Sequence, residues 1–182
     1  MAKLISKTYA DALFELAVEE KETVSLRQEV ETLLEILGEN EDFHKFMNHP
    51  KIPKEEKKTA LENIFRGRID DELLGFLITI VDKDRYGKVE EILHTFIDEV
   101  KEYNHIGTAY VTTAVTLSAQ EKEDIEKRLL DTTDYEQIEC EYTVDPVLIG
   151  GMIIRIGDRV VDSSIRTKLD KMERELMAIQ LG

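Results

Sequence analysis

The chain carries a single cysteine, Cys140, in 182 residues, so no internal disulfide can form. That scarcity suits a reducing compartment, and Cys140 sits inside an alternating strand pattern rather than among catalytic partners. No apolar run approaches the roughly 20 residues needed to span a bilayer. Met1-Ala2-Lys3-Leu4 leads directly into a helical pattern, so neither a signal peptide nor an anchor is expected, and membrane association would run through partners. Basic residues are scarce as well, 24 against 39 acidic, for a formal net charge of −15. A nucleic-acid backbone would be repelled over most of such a surface, which excludes DNA and RNA as expected partners. The deficit is spread evenly, with 15 basic against 24 acidic groups in residues 1–105 and 9 against 15 in 106–182. There is no charged tail, internal repeat or low-complexity segment.

Motifs that carry chemistry are missing too. Gly150, Gly151 and Gly157 cluster near a helix, but an Ile-rich strand separates the first two from Ser163, unlike a phosphate loop that turns directly into a helix. Turn and close-packing roles account for these glycines. His44 and His49 are five residues apart on a segment that breaks at Pro50, and His94 and His105 lack ligand spacing, so no metal site is expected. Adjacent acids such as Asp70-Asp71 and Glu90-Glu91 point apart on a helix and read as caps or solvated faces. No nucleophile, cofactor motif or acid-base pair emerges.

Periodicity, by contrast, is abundant. Leu4, Ile5, Tyr9, Ala12, Leu13 and Leu16 define a first helix, and Leu26, Val30, Leu33, Leu34 and Leu37 a second that should stop at Gly38. Phe43, Phe46 and Met47 predict a short third helix ended by Pro50. Pro53 can open a fourth, carrying Leu61, Ile64 and Phe65 and closed by Gly67. Asp70 is placed to cap a fifth helix through Val81, and Val89, Ile92, Leu93, Phe96, Ile97, Val100 and Tyr103 mark a sixth. At Gly107 the period changes from 3.6 to 2, with Ala109, Val111, Val115 and Leu117 alternating against Thr108, Tyr110, Thr112 and Thr116. Ser118 and Glu121 form a capping box for a helix that turns Ile125 and Leu129 to a core. Ile138, Cys140, Tyr142 and Val144 share one face of the next strand, which Asp145-Pro146 breaks. The expected fold class is therefore α+β: a six-helix bundle over residues 1–105, then a small α/β domain over 106–182 with a mixed sheet and two helices.

The stretch from Leu148 to Leu176 holds the most information. Met152, Ile154 and Ile156 lie on one strand face, Gly157-Asp158 supplies a turn, and Arg159-Val160-Val161 returns. Asp162 or Ser163 can cap a last helix whose Ile165, Leu169, Met172 and Leu176 draw one apolar stripe. Arg155, Arg159, Arg166, Lys168, Lys171 and Arg174 reverse the acidic balance locally. They either receive an acidic partner or, as Asp162 with Arg166 and Asp170 with Arg174, pair along an exposed helix. The fifth helix has scarcely a polar position among Leu73, Leu74, Phe76, Leu77, Ile78, Ile80 and Val81, so it is either a central helix or one wall of a partner groove. Ala10, Phe14 and Ala17 give the first helix a second apolar edge beside Ile5, Tyr9, Ala12, Leu13 and Leu16, which would add to such a groove.

Gly150-Gly151 entering an Ile-rich strand, Arg155-Ile156-Gly157-Asp158, and Asp162-Ser163-Ser164-Ile165-Arg166 together resemble the C-terminal signature of the delta subunit family of F-type ATP synthases, which includes the oligomycin-sensitivity-conferring protein. Tyr9-Ala10-Asp11-Ala12-Leu13-Phe14 resembles the first helix of the same family, so the likeness runs over essentially the whole chain. The resemblance implies a non-catalytic stator subunit, without cofactor and in one copy per complex, that couples proton-driven rotation to ATP synthesis at the cytoplasmic face of a bacterial membrane. It implies an N-terminal bundle whose first and fifth helices hold the N-terminal helix of the catalytic head's alpha subunit, with Tyr9, Ala12, Leu13, Leu77, Ile80 and Val81 at or near that groove. It also implies a C-terminal domain that meets the C-terminal helices of the stalk's b subunits. Ile165, Leu169, Met172 and Leu176 would then serve that contact or the domain's own core. On this view Leu77→Asp or Tyr9→Ala weakens head binding with helical content intact. The rival without the resemblance is a helical adaptor of another soluble assembly.

Overall fold

A computed structural model describes the backbone of residues 2–180 and the side chains of residues 6–174; Leu4, Ile5 and Leu176 lie outside the described side chains. The chain divides into two compact units between Lys101 and Glu102. Six α-helices precede the first strand: α1 (Ala2–Glu19), α2 (Thr23–Glu39), α3 (Glu41–Asn48), α4 (Lys54–Phe65), α5 (Asp71–Asp82) and α6 (Val89–Tyr103), with a 3-10 turn at Tyr86–Lys88. They share one apolar core in which Leu13, Val30, Leu33, Met47, Leu61, Leu77, Ile80, Ile92, Leu93 and Phe96 are fully buried. The caps explain several boundaries. Asp70 accepts the Glu72 N–H at 2.8 Å and starts α5. Gly67, with φ of +72°, follows the end of α4 in a left-handed turn that an L-residue would resist. Gly38 does not stop α2, which continues to Glu39, and Pro53 sits just before α4 instead of inside its first turn.

The second unit is built on a four-stranded sheet in the order β2-β1-β3-β4, from β1 (Ile106–Thr113), β2 (Gln137–Val144), β3 (Met152–Ile156) and β4 (Arg159–Asp162). β1 pairs parallel with β2 and antiparallel with β3, and β3 pairs antiparallel with β4, so the sheet is mixed. Helix α7 (Ala119–Thr132) makes the β1-to-β2 crossover, and α8 (Ile165–Gln180) follows β4. The capping box forms in full: Ser118 accepts the Glu121 N–H while the Glu121 carboxylate accepts the Ser118 N–H at 2.8 Å. Burial alternates along β1 as expected, but the strand ends at Thr113, and Val115 stands exposed in the connection to α7. Alternation alone had no means of locating that end.

Candidate functional site

Register places apolar side chains from each of the four strands on one face. Ala109 lies opposite both Cys140 and Ile156, Val111 opposite both Tyr142 and Ile154, and Ile154 opposite Val161. α7 covers the β2 side of this face. The Tyr142 hydroxyl donates toward the Lys122 carbonyl at 3.3 Å, lies 3.2 Å from the Glu126 carboxylate, and has Lys122 Nζ 4.7 Å from its ring centre. Leu129 and Cys140 pack on a small core of Ala109, Ile138 and Ile156. Burial pushes the Cys140 thiol above its ordinary value, opposite to what a reactive thiolate requires. The β3–β4 side is open instead. Ile125 and Leu129 of α7 form one wall of a groove floored by Met152, Ile154, Ile156 and Val161, with Arg128 and Arg159 at its margins.

The hairpin and the start of α8 are held by a compact set of polar contacts. Ser164, only 1% exposed, accepts the Thr167 N–H, so it is the capping residue, in place of the expected Asp162 or Ser163. Asp162 supports it by accepting the Ser164 N–H at 2.8 Å and the Thr167 hydroxyl at 2.7 Å, which holds its carboxyl below the usual range. These bonds, not Arg166, engage the Asp162 carboxylate. Ser163 donates from its hydroxyl to the Met152 carbonyl at 2.9 Å, and Gly151, with φ of +78°, lets the two segments approach. A Cβ on Gly151 would stand 2.5 Å from the Ser163 carbonyl oxygen. The conspicuous glycines are thus packing and turn positions.

The expected partner residues separate by exposure. Leu13, Leu77, Ile80 and Val81 are buried in the helical unit's own core, Tyr9 is half-buried, and Ala12 is exposed. Ala10 and Ala17 are also fully buried, so they do not form the outward edge of α1 expected of them. Helices pack through small residues as readily inside a domain as across an interface, and sequence spacing does not distinguish the two. Phe76 and Ile78 flank the buried stripe of α5 and are half-buried. One turn before Phe76, Glu72 is raised above its ordinary value by desolvation and by the charges of Glu20, Asp70 and Glu22. On α8, Ile165, Leu169 and Met172 are 42%, 50% and 61% exposed. Among the described residues no cluster of potential metal ligands forms and no helix is long and apolar enough to cross a membrane.

A family model for the ATP synthase delta (OSCP) subunit matches residues 5–176, which include both units and all the motifs above. The chain belongs to the ATP synthase delta (OSCP) family. It is 50% identical over 182 residues to the ATP synthase subunit delta of Lachnoclostridium phytofermentans, with both chains covered completely. It is 34% identical to the corresponding subunit of Alkaliphilus oremlandii, over 98% of this chain and 99% of that one. A chain in the cryo-EM structure of the Toxoplasma gondii mitochondrial ATP synthase hexamer has the same fold, with a TM-score of 0.69 at 19% identity over 94% of this chain and 97% of that one. Membership makes this a structural, non-catalytic stator subunit of ATP synthase. It assembles with other subunits of that complex, as a peripheral component of it.

Proposed function

We propose that the chain clamps the catalytic head to the peripheral stalk, its first unit holding the N-terminal helix of an alpha subunit and its second unit the C-terminal helices of the b subunits, on the cytoplasmic face of a bacterial membrane. The six helices before β1 act as one bundle for this purpose, and the boundary near residue 105 divides the two partner surfaces. A clamp of this kind turns over no substrate; it keeps the head from rotating with the rotor, so that torque reaches the nucleotide sites. The observation that carries the reading is that each compact unit has apolar side chains left over after its own core is filled: Phe76 and Tyr9 on the first, Ile165, Leu169 and Met172 on the second. An amphipathic helix can dock on such surfaces with a few buried anchors and no charge pairing.

Burial decides which variants test it. Leu77 is 1% exposed, so Leu77→Asp unfolds the bundle before it can report on binding. Tyr9→Ala and Phe76→Ala remove half-buried rings at smaller cost to the core. Calorimetric titration of the full chain with a peptide of the host's alpha-subunit N-terminus should give one-to-one binding that a scrambled peptide lacks. Either variant should weaken that binding at least tenfold, about 1.4 kcal/mol, with helical content unchanged. A folded chain that ignores the peptide refutes the head contact and favours an adaptor of some other assembly.

A further inference from the structure

The apolar face of the sheet is only half covered, and the groove left beside α7 changes character along its length. α7 leaves β1 after Thr113, which pairs with Met152, and leads back to β2 at Gln137, which pairs with Ile106. Its first turns therefore lie at the Met152 end of β3 and its last turns at the Ile156 end. Over most of that run the lining is aliphatic, with Ile125 and Leu129 of the helix beside Met152, Ile154 and Val161 of the sheet. At the Ile156 end the groove passes into a second, polar cavity, because Thr133, Ile156 and Arg159 line both. That cavity adds His105, Asp134, Tyr135 and the Gly157-Asp158 turn. The two spaces measure about 490 and 380 Å³, each within the range of roughly 300–1,000 Å³ usual for small-ligand sites.

This polarity decides the shape of the occupant. An amphipathic helix is apolar down one side for its whole length, whereas this site is apolar at one end and polar at the other. That is the distribution of a small molecule with an alkyl tail and a polar head. The chain's own α8 does not fill the space: the Ile165 N–H donates to the Gly150 carbonyl at 2.9 Å, which starts α8 beside the Pro146–Leu148 turn, and no described residue of α8 lines the groove. The charge of the head follows from the donors left over. The Thr132 and Thr133 hydroxyls already donate to the Arg128 and Leu129 carbonyls at 2.8 and 2.7 Å. The guanidinium groups of Arg128 and Arg159 enter no ion pair among the described residues, although the chain has 39 acidic residues to supply one. Asp134 and Asp158, on the far side of Arg159, repel a second negative charge, so a carboxylate suits the site better than a phosphate dianion. Asp124, one turn before Arg128, opposes the reversed orientation. We infer that the second unit binds a single-chain aliphatic carboxylate, its tail between α7 and the β3–β4 hairpin and its head at Arg128 and Arg159.

The test is methyl NMR of the full chain labelled at isoleucine, titrated with decanoate below its micelle-forming concentration. The Ile125, Ile154 and Ile156 methyls should shift to saturation with one-to-one stoichiometry while Ile165 stays in place. Arg128→Glu and Arg159→Glu, both at exposed positions, should each weaken decanoate by roughly threefold or more, as loss of an exposed charge contact predicts, and leave the affinity for decanol unchanged. Decyltrimethylammonium, with the same tail and the opposite head, should bind wild type more weakly than decanoate. Shifts that never saturate, or that reach Ile165 equally, would mean adsorption on apolar surface in general and overturn the site. Equal binding of all three decyl compounds, or undiminished affinity in both variants, would overturn the placement of the head. A folded chain with Ile154 and Ile156 silent refutes the inference outright.

Discussion

Replacing Gly151 by alanine tests how the second unit holds its last helix. Two penalties add at this position. With φ of +78° an L-residue is in a region that costs about 1–2 kcal/mol. The new Cβ would also lie 2.5 Å from the Ser163 carbonyl oxygen and 3.0 Å from the Ser164 Cα, both backbone atoms that cannot rotate away. Relieving that overlap means moving Ser163 and Ser164, which lengthens the Ser163–Met152 bond and the Ile165–Gly150 bond, each net about 1 kcal/mol. Gly151→Ala should therefore destabilise the second unit by roughly 2–4 kcal/mol. Gly75 supplies the opposite control: it is inside α5, exposed, and a Cβ there would meet nothing within 4 Å. Gly75→Ala should stabilise the first unit by roughly 0.5–1 kcal/mol. Urea unfolding of the full chain, followed by amide NMR so that each unit reports separately, measures both. A Gly151→Ala protein within 0.5 kcal/mol of wild type would refute the close-approach argument.

Ser118→Ala removes the hydroxyl half of the capping box and should cost about 1 kcal/mol in the same unfolding experiment, whereas Ser118→Asp should retain most of the stability. Acid titration should separate two carboxylates whose shifts run in opposite directions. Asp162, held below its ordinary 3.8, contributes stability that is fully present above that value and lost as pH falls through its folded pKa, so Asp162→Asn should narrow the stability gap to wild type only under acid conditions. Glu72, raised above its ordinary 4.5 by desolvation and by Glu20, Asp70 and Glu22, penalises the fold once ionised. Glu72→Gln should then stabilise the chain at neutral pH, with the gain lost as pH falls through the raised folded pKa towards the ordinary 4.5; an equal gain at pH 3 would show that charge is not the cause.

Element types were readable wherever one face is buried and the other wet. α6 and β1 illustrate this: Val89, Ile92, Leu93, Phe96, Ile97 and Val100 at helical spacing and Ala109 and Val111 at alternate positions are buried, whereas Tyr103 and Val115, assigned to the same patterns, are exposed. Ends were readable where a side chain does the capping, as at Asp70 and Ser118. They were misread where the stop is tertiary: Gly38 had no reason to end α2, and Ser164 outcompetes its neighbours as cap because Asp162 and Ser163 are recruited by Thr167 and Met152. The partner surface was the hardest part to read. Leu77 and Phe76 are equally apolar and adjacent, and only packing shows that the first is core and the second an edge. The half-covered sheet face was likewise invisible, because its residues alternate as those of a fully covered face would, and the missing layer is a property of topology.

The middle position of β1 has a mechanical meaning. It is bonded along eight positions to β2 on one side and along five to β3 on the other, and only two residues separate it from the end of α6. Tension entering along that strand runs parallel to both ladders, so their bonds are strained together in shear and share the pull. β4, at the rim, would peel from β3 one pair at a time. A pull arriving from α6 would thus be taken up at the strand its sheet is least able to release.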